Sequence, residues 1–320
     1  MDTFTASQKV LNDVILNIEK VIIGKRAAVE LIVLALISGG HVLIEDIPGV
    51  GKTTLVSALA RSVSCGFKRI QFTPDIMPSD VTGFSVYNQK TGEFEFRPGA
   101  AMSNFLLADE INRASAKTQS SLLEIMEEKQ VTVDSVTYKL DEPFMVLATQ
   151  NPIEYLGTYP LPEAQIDRFL IKISLGYPSV EEEIRVVVQG KNQKDSLEPV
   201  ASAGEILMAR GEASKVYVSE LVVKYIINVT AATRTHADVT LGSSPRGSIA
   251  LYGLCQAFAL YQGRDYVIPD DVKFMAPYAL PHRLILKSEA KVNKKTQLQV
   301  IEEILRKIPV PVLKRLSSIK

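Results

Sequence analysis

The sequence predicts an α/β domain built on a parallel sheet, followed by a smaller domain that is all helical. In the first half of the chain, apolar runs of strand length alternate with segments of helical periodicity, as in parallel sheets. Gly176-Tyr177-Pro178 ends this alternation, and the apolar residues beyond it recur at helical spacing. We therefore expect an α/β nucleotide-binding domain over residues 1–178 and a helical domain over residues 179–320.

Five apolar runs predict the strands of the sheet: Val42–Glu45, Arg69–Phe72, Asn104–Ala108, Phe144–Thr149 and Phe169–Ser174. Helices are expected between them at about residues 24–38, 51–64 and 115–128. Later segments with helical spacing are 216–234, 246–262, 270–285 and 296–307. Pro269-Asp270-Asp271 opens one of these segments with residues typical of a helix N-terminus. The polar segment Gln189–Pro199 indicates a linker or a helix connection.

Two further segments alternate apolar and polar residues and predict β-hairpins. Phe84–Phe96 turns around Thr91-Gly92, and Gln130–Tyr138 turns around Asp134-Ser135. Because both interrupt the order of the core strands, we expect both to be insertions into the α/β domain.

The composition is that of an ordinary soluble protein, and it restricts the partners. Thirty-six Lys and Arg residues balance 36 Asp and Glu residues, whereas a non-specific nucleic-acid binder usually has a basic excess. We therefore expect no nucleic-acid partner. Cys65 and Cys255 lie far apart in the sequence, which suggests neither a disulfide framework nor a zinc site and fits a reducing cytoplasm.

The chain shows no sequence pattern for insertion into a membrane. Its longest uncharged apolar run is Leu31–Ile37, whereas a spanning helix needs about 20 residues. Asp2, Gln8 and Lys9 interrupt any signal-peptide pattern at the N-terminus. We expect a cytoplasmic location without direct membrane insertion.

The segment Pro48-Gly49-Val50-Gly51-Lys52-Thr53-Thr54 follows an apolar strand and opens a helical pattern. This is the setting of a phosphate-binding P-loop, in which backbone N–H groups and a helix N-terminus face an anion. Lys52 would reach the β- and γ-phosphates, and the Thr53 hydroxyl would bind Mg²⁺. The strict pattern places glycine at position 46, where this chain has Asp46. The alternative is a glycine-rich turn that carries a surface lysine.

The apolar strand Phe105–Ala108 ends in two acids, Asp109 and Glu110. Asp109 fits the acid that holds Mg²⁺ in P-loop ATPases, and Glu110 would orient the attacking water or accept its proton. The alternative is that two acids simply end a strand. Asn151 ends the next apolar strand and can hydrogen-bond the water or the γ-phosphate. By spacing alone, an Asx turn before Pro152 is the favoured interpretation.

Five segments then occur in the order typical of one family: Pro48–Thr53, Asp109–Ala114, Ala148–Pro152, Leu161–Phe169 and Gly242–Arg246. Over about residues 8–310 the chain resembles the MoxR family of AAA+ ATPases. The resemblance implies an AAA+ core with hairpin insertions, followed by a helical lid. P-loops of this family often lack the first glycine, so Asp46 agrees with it.

The resemblance also implies the roles of individual residues. Lys52 and Thr53 are the P-loop ligands, and Asp109 and Glu110 are the Walker B pair. Asn151 is implied to be sensor 1.

Two arginines and the adenine contact follow in the same way. Arg168 is implied to be the arginine finger for ATP on the neighbouring subunit, and Arg246 to be sensor 2 on the lid. Ile23 and Gly24 resemble the segment that packs against adenine. Without the resemblance, Arg168 could pair with Asp167 or Glu163, and Arg246 could stabilise the lid helix. 

Arg113 is implied, with less support, to face a subunit boundary. The two hairpins match the helix-2 insert and the pre-sensor-1 hairpin, which line or face the pore of a ring in related ATPases.

The function expected from all of this is Mg²⁺-dependent ATP hydrolysis by a ring, of six subunits by family expectation, that remodels or activates a protein client. The resemblance implies a partner with a von Willebrand factor A domain. One alternative is the ATPase subunit of a magnesium-chelatase-like complex. A nucleic-acid motor is disfavoured because the first hairpin holds Lys90 against Glu93 and Glu95. A non-hydrolysing switch or scaffold is disfavoured by the presence of Glu110 and the two arginines.

Overall fold

A computed structural model describes residues 3–151, 159–189 and 197–311. The chain forms two compact units, Met1–Gly211 and Glu212–Lys320. The described residues between 179 and 211 therefore group with the first unit, although the sequence suggested a boundary at 178. The reason is a set of hydrogen bonds that returns the chain to the α/β core: the backbone N–H groups of Val200 and Ala201 donate to the Ser62 carbonyl. The functional boundary at 178 remains a prediction, and residues 190–196 of the expected linker lie outside the described residues.

The first unit is built on five parallel strands in the order β2-β5-β8-β1-β9. The strands are β1 (Val42–Glu45), β2 (Phe67–Gln71), β5 (Phe105–Asp109), β8 (Met145–Gln150) and β9 (Ile171–Ile173). Every predicted core strand is present, with ends shifted by at most two residues. The all-parallel pairing explains why β5 and β8 are almost fully buried apolar runs rather than alternating ones.

Helices connect and cover these strands: α1 (Thr3–Glu19), α2 (Arg26–Ile37), α3 (Lys52–Ser62), α4 (Pro78–Thr82), α5 (Ala116–Glu128), α6 (Glu163–Ile166), α7 (Val180–Gln189) and α8 (Ala203–Lys215). The uncharged run Leu31–Ile37 lies in α2 and is buried throughout, as expected of a helix that is apolar on all sides. Helix α1 buries one stripe that includes Leu11, Val14 and Ile18.

Both predicted hairpins are confirmed. The first pairs β3 (Gly83–Asn88) with β4 (Glu93–Pro98), and the second pairs β6 (Gln130–Val133) with β7 (Val136–Lys139). Asp134 and Ser135 both have left-handed φ angles, 49° and 67°, as the tight turn of a two-residue hairpin requires.

The two hairpins contact each other through aromatic rings. The rings of Phe96 and Tyr138 stack with centroids 4.0 Å apart and planes 11° apart. Because an isolated two-stranded hairpin is marginally stable in water, this contact stabilises the two hairpins against each other.

The second unit contains α9 (Glu220–Thr235), α10 (Pro245–Tyr261), α11 (Pro269–Ala279), α12 (Ser288–Val292) and α13 (Gln297–Lys307). It differs from the all-helical expectation in one short antiparallel pair, β10 (Val239–Leu241) with β11 (Ile285–Leu286). The helix predicted over 270–285 ends at Ala279, and a 3₁₀ turn that begins at Pro281 follows it. None of the helices in the described ranges is long and apolar enough to cross a membrane.

His41 is buried between the sheet and α5, and its ring joins the two. Its Nδ1 accepts a hydrogen bond from the backbone N–H of Val146 (3.0 Å), so its Nε2 carries the proton and donates to the Met126 carbonyl (3.0 Å). Burial lowers the pKa of His41 to about 4, and the positive charges of Lys129 and Arg210 act in the same direction. The neutral ring is therefore the form that stabilises the fold.

The His41 contacts predict a loss of stability in acid. In the unfolded chain His41 has its ordinary pKa of 6.5, so protonation favours unfolding as the pH falls from 6.5 to about 4. Since one pKa unit corresponds to ~1.4 kcal/mol, the loss is about 3 kcal/mol. Urea unfolding at pH 7, 5.5 and 4 should show this loss in wild type and not in His41→Gln. His236→Gln should retain it, and parallel stability profiles of wild type and His41→Gln would contradict this account.

Candidate functional site

The P-loop connects the end of β1 to the start of α3. Gly49 and Gly51 have φ angles of 89° and 91°, the left-handed region that favours glycine. A Cβ atom at either position would meet nothing within 4 Å, so the loop backbone faces open space of the kind that an anion needs. The Lys52 ammonium donates to the Asp46 carbonyl at 3.0 Å, which places it beside the loop.

Asp46, which replaces the first glycine of the strict P-loop pattern, is buried, and its carboxylate accepts hydrogen bonds from the backbone. Its Oδ2 accepts hydrogen bonds from the backbone N–H groups of Leu175 (2.5 Å) and Gly176 (2.9 Å). Its Oδ1 accepts from the backbone N–H of Ile47 at 3.1 Å. Asp46 therefore ties the P-loop to the segment that leaves β9, a connection that glycine could not make.

Asp109 ends β5 with both carboxylate oxygens engaged. Its Oδ1 accepts a hydrogen bond from the hydroxyl of Thr149 at 2.8 Å. Its Oδ2 accepts from Arg69 through Nη2 (2.6 Å) and Nε (3.0 Å). Burial of an ionised carboxylate is tolerated when it is paired and hydrogen-bonded, and these two side chains provide that compensation.

Glu110 follows in an uncommon backbone conformation. Its φ of 54° and ψ of 50° are left-handed, which is disfavoured for a residue with a side chain and is concentrated at functional sites. The Thr149 hydroxyl oxygen accepts a hydrogen bond from the backbone N–H of Glu110 at 2.8 Å and so supports this backbone conformation. The Glu110 carboxylate forms an ion pair with Arg113 at 3.1 Å. Arg113 thus lies beside Glu110 of the same chain, and its place at a subunit boundary remains a prediction.

A cavity of about 320 Å³ joins the P-loop to these acids. Its lining includes Lys52, Thr53, Asp109, Glu110 and Asn151. Of the P-loop residues in the sequence prediction, all but Val50 line it: Pro48, Gly49, Gly51, Lys52, Thr53 and Thr54. All five non-arginine residues to which catalytic or metal chemistry was assigned thus meet at one edge of the sheet, because β1, β5 and β8 are parallel neighbours.

The residues of this cavity fit a nucleotide and its metal ion. The open space in front of Gly49 and Gly51 suits phosphate oxygens, and Lys52 supplies a compensating charge. Thr53 and Asp109 offer the oxygen ligands that Mg²⁺ prefers. 

Other predicted residues lie elsewhere. Ile23 and Gly24 form the turn before α2 and are outside the cavity lining. The carboxylate of Glu182 lies directly against Gly24, where a Cβ atom would be 2.0 Å from it. Arg246 stands in the first turn of α10 with an exposed side chain. The adenine and sensor roles of these residues remain predictions.

Arg168 lies beside a second cavity, of about 430 Å³, on the outer side of α5. The cavity is lined mainly by acids and by the segment around α6: Glu124, Glu127, Glu128, Ala164, Gln165 and Arg168. The Arg168 Nε lies 3.0 Å from the Glu127 carboxylate. By sequence, Asp167 and Glu163 were the alternative partners of Arg168. The side chain of Glu163 lies outside the described part of the chain.

No motif in the sequence indicated Arg69 or Thr149 as residues of the site. Both act through neighbouring strands, so no local motif contains them. The available signal for Arg69 was its charge at the first position of the predicted strand Arg69–Phe72, since strands of a parallel sheet are usually apolar runs. For Arg113 the signal was its position three residues after Glu110, because such residues lie on one side of a 3₁₀ turn.

Comparisons with known proteins agree with this geometry. The family model for ATPases associated with various cellular activities (AAA) matches residues 41–171, and the AAA lid domain matches residues 231–304. The uncharacterised protein YeaC of Bacillus subtilis is 53% identical over 92% of this chain and 93% of its own length. Chaperone MoxR1 of Mycobacterium tuberculosis is 42% identical over 94% of this chain and 82% of its own.

A solved structure shares the fold over the whole length. The crystal structure of a candidate ATPase from Cytophaga hutchinsonii is 43% identical and has a TM-score of 0.92. The match covers 97% of this chain and 98% of that one.

The hydrogen bonds of Asp46 predict that restoring the strict motif weakens the protein. Asp46→Gly removes the acceptor for the N–H groups of Leu175, which is buried, and Gly176, which is partly exposed. One unsatisfied buried group costs roughly 1–3 kcal/mol. We expect urea denaturation to show a loss within that range for Asp46→Gly. Asp46→Asn is the matched control because it keeps an acceptor oxygen and should lose less. Wild-type stability in Asp46→Gly would contradict this role.

Proposed function

The chain belongs to the MoxR family of AAA+ ATPases, and on this basis we propose that it hydrolyses ATP with Mg²⁺ as a ring of identical subunits. We further propose that the reaction remodels, assembles or activates a protein client. The observation that carries the proposal is the single cavity that Lys52, Thr53, Asp109, Glu110 and Asn151 line together. 

Each cavity residue has a task in phosphoryl transfer to water. The P-loop backbone and Lys52 bind the phosphates and oppose the charge that builds on the γ-phosphate. Thr53 and Asp109 would hold Mg²⁺, which supplies further charge neutralisation at the phosphates when bound. Glu110 orients the water and accepts its proton, with Asn151 as a second hydrogen-bonding group.

Glu110 must change partner to act as a base. A carboxylate oxygen that is engaged by Arg113 at 3.1 Å is not available to orient a water molecule. The Glu110 pair is partly exposed, so exchanging Arg113 for water requires no large rearrangement. We propose that the ion pair with Arg113 keeps Glu110 inactive as a base until the attacking water is bound.

Arg168 completes the site of the neighbouring subunit in this proposal. In the described residues its one ion pair uses Nε, towards Glu127, which leaves the two terminal amino groups to bind a phosphate. Its cavity is separate from the one that the P-loop lines, which agrees with action across a subunit interface. Six subunits, a sensor role of Arg246 in the lid and a cytoplasmic location belong to the same proposal, supported by the family resemblance.

The hairpins support a protein client. Tyr87 and Phe94 are large aromatic residues with about half and three quarters of their surface exposed, and their rings lie 5.4 Å apart. Exposed aromatic residues of this kind are typical of protein-binding surfaces. A related protein of Mycobacterium tuberculosis is named a chaperone. A partner with a von Willebrand factor A domain is proposed from the resemblance alone.

Substitution of the catalytic acid should separate binding from hydrolysis. Glu110→Gln keeps the size of the side chain and its hydrogen bonding but removes the base, so we expect it to bind ATP and to lose at least about 100-fold in turnover. Lys52→Ala should weaken nucleotide binding itself. Phosphate release and fluorescent-nucleotide titration measure the two effects. Turnover of Glu110→Gln at the wild-type rate would exclude Glu110 from this role.

Removal of the arginine finger should affect turnover and spare ATP binding. An arginine that acts across an interface contributes about 10³–10⁵ in rate, so Arg168→Ala should lose roughly this factor in kcat with an unchanged Kd for ATP. Arg97→Ala is a matched control, because that exposed arginine pairs only with Glu95 among the described residues. A wild-type kcat in Arg168→Ala would contradict the assignment.

A further inference from the structure

The Walker B carboxylate of Asp109 is already paired with a cation of its own chain. The guanidinium of Arg69 donates twice to Oδ2 of Asp109, at 2.6 and 3.0 Å. The other oxygen, Oδ1, is taken by the Thr149 hydroxyl. Arg69 also lines the cavity that holds Lys52 and Thr53, so its charge lies where the metal of a nucleotide complex would be held.

The strand register sets this arrangement. In the β2–β5 pairing, Gln71 lies opposite Asp109 and Arg69 lies opposite Leu107. Residues two apart on a strand share a face, so the long side chain of Arg69 reaches diagonally to Asp109. The side-chain oxygen of Gln71 accepts a hydrogen bond from Nη2 of Arg69 at 2.9 Å and so holds the guanidinium further in place.

The two partners differ in exposure. The side chain of Asp109 is 12% exposed and that of Arg69 is 46% exposed. A buried carboxylate without a cation is strongly disfavoured, whereas a half-exposed guanidinium can move into water at little cost. The contact can therefore exchange one cation for another at Asp109 without leaving the acid uncompensated.

We propose that Arg69 competes with the divalent metal for Asp109, and that it thereby lowers the affinity of the site for the metal–nucleotide complex. The inference rests on the proposed function, since it concerns the metal of the same site. A metal ion or its bound water needs an oxygen of Asp109 as acceptor, and Arg69 occupies Oδ2 with two N–H groups. Two cations on one carboxylate also repel each other. Arg69 therefore moves away when the metal complex binds and returns when the product leaves.

The competition has a consequence for turnover. Product release limits the rate of many nucleotide-hydrolysing and other well-evolved enzymes. When Arg69 returns to Asp109, it displaces the metal from the carboxylate and so favours release of the metal together with the diphosphate. Arg69 is in this sense a positioning residue of the site, which acts through Asp109 and not on the reacting atoms.

The test is a metal titration that does not depend on activity. Mn²⁺, in place of Mg²⁺, is titrated by electron paramagnetic resonance into protein saturated with ADP. Because coupling between two sites typically changes affinity by roughly 5- to 150-fold, Arg69→Gln should bind Mn²⁺ at least about fivefold more tightly than wild type. Arg69→Lys, which keeps the charge with one donor group, should lie between the two.

Two controls make the result specific. Arg97→Gln makes the same charge change on β4 and should leave the Mn²⁺ affinity unchanged. Thermal unfolding without metal should show a lower Tm for Arg69→Gln than for wild type, because buried Asp109 has lost its cation, and Mn²⁺ with ADP should reduce that difference.

The outcomes are distinguishable. Equal or weaker Mn²⁺ binding by Arg69→Gln, with wild type binding normally, overturns the competition and would mean that Arg69 organises Asp109 for the metal. Absence of Mn²⁺ and ADP binding by wild type would overturn the proposed function, and this inference with it.

Discussion

Parallel hydrogen bonding among β5, β8 and β1 is the constraint on which the site depends. The carboxyl ends of neighbouring parallel strands lie at one edge of a sheet, which is where open α/β sheets bind ligands. In this chain that edge receives the P-loop from β1, the two acids from β5 and Asn151 from β8. Because β5, β8 and β1 are consecutive in the sheet, these three strand ends lie side by side.

The same edge concentrates buried charge, and the surrounding residues compensate it locally. Asp46 is satisfied by backbone N–H groups beyond β9, and Asp109 by Arg69 and Thr149. Buried carboxylates with such partners hold their positions firmly. Asp46 thus fixes the P-loop in relation to the chain leaving the sheet, and Thr149 connects both Walker B residues through one hydroxyl group.

The features that could be predicted from the sequence are those that depend on local patterns. The five core strands, both hairpins, the P-loop and the acid pair follow from periodicity and short motifs, and Asp134-Ser135 already specified a tight turn. Contacts set by the register of distant strands could not be predicted in this way. The pair Arg69–Asp109 joins positions 40 residues apart. The β10–β11 pair also joins two remote segments, and Ile285 belongs to that pair and not to the helix expected over 270–285.

The central claim is that Arg168 of one subunit serves ATP bound to the next, and a mixing experiment tests it most directly. The Arg168→Ala variant keeps an intact ATP site but lacks the arginine that would act on the neighbouring subunit. The Glu110→Gln variant binds ATP without hydrolysing it and keeps Arg168. Phosphate release is measured for each variant alone and for mixtures, with assembly followed by light scattering. The account predicts that mixed rings hydrolyse ATP well above the sum of the two variants. Activity that never exceeds that sum in assembled mixtures would contradict it.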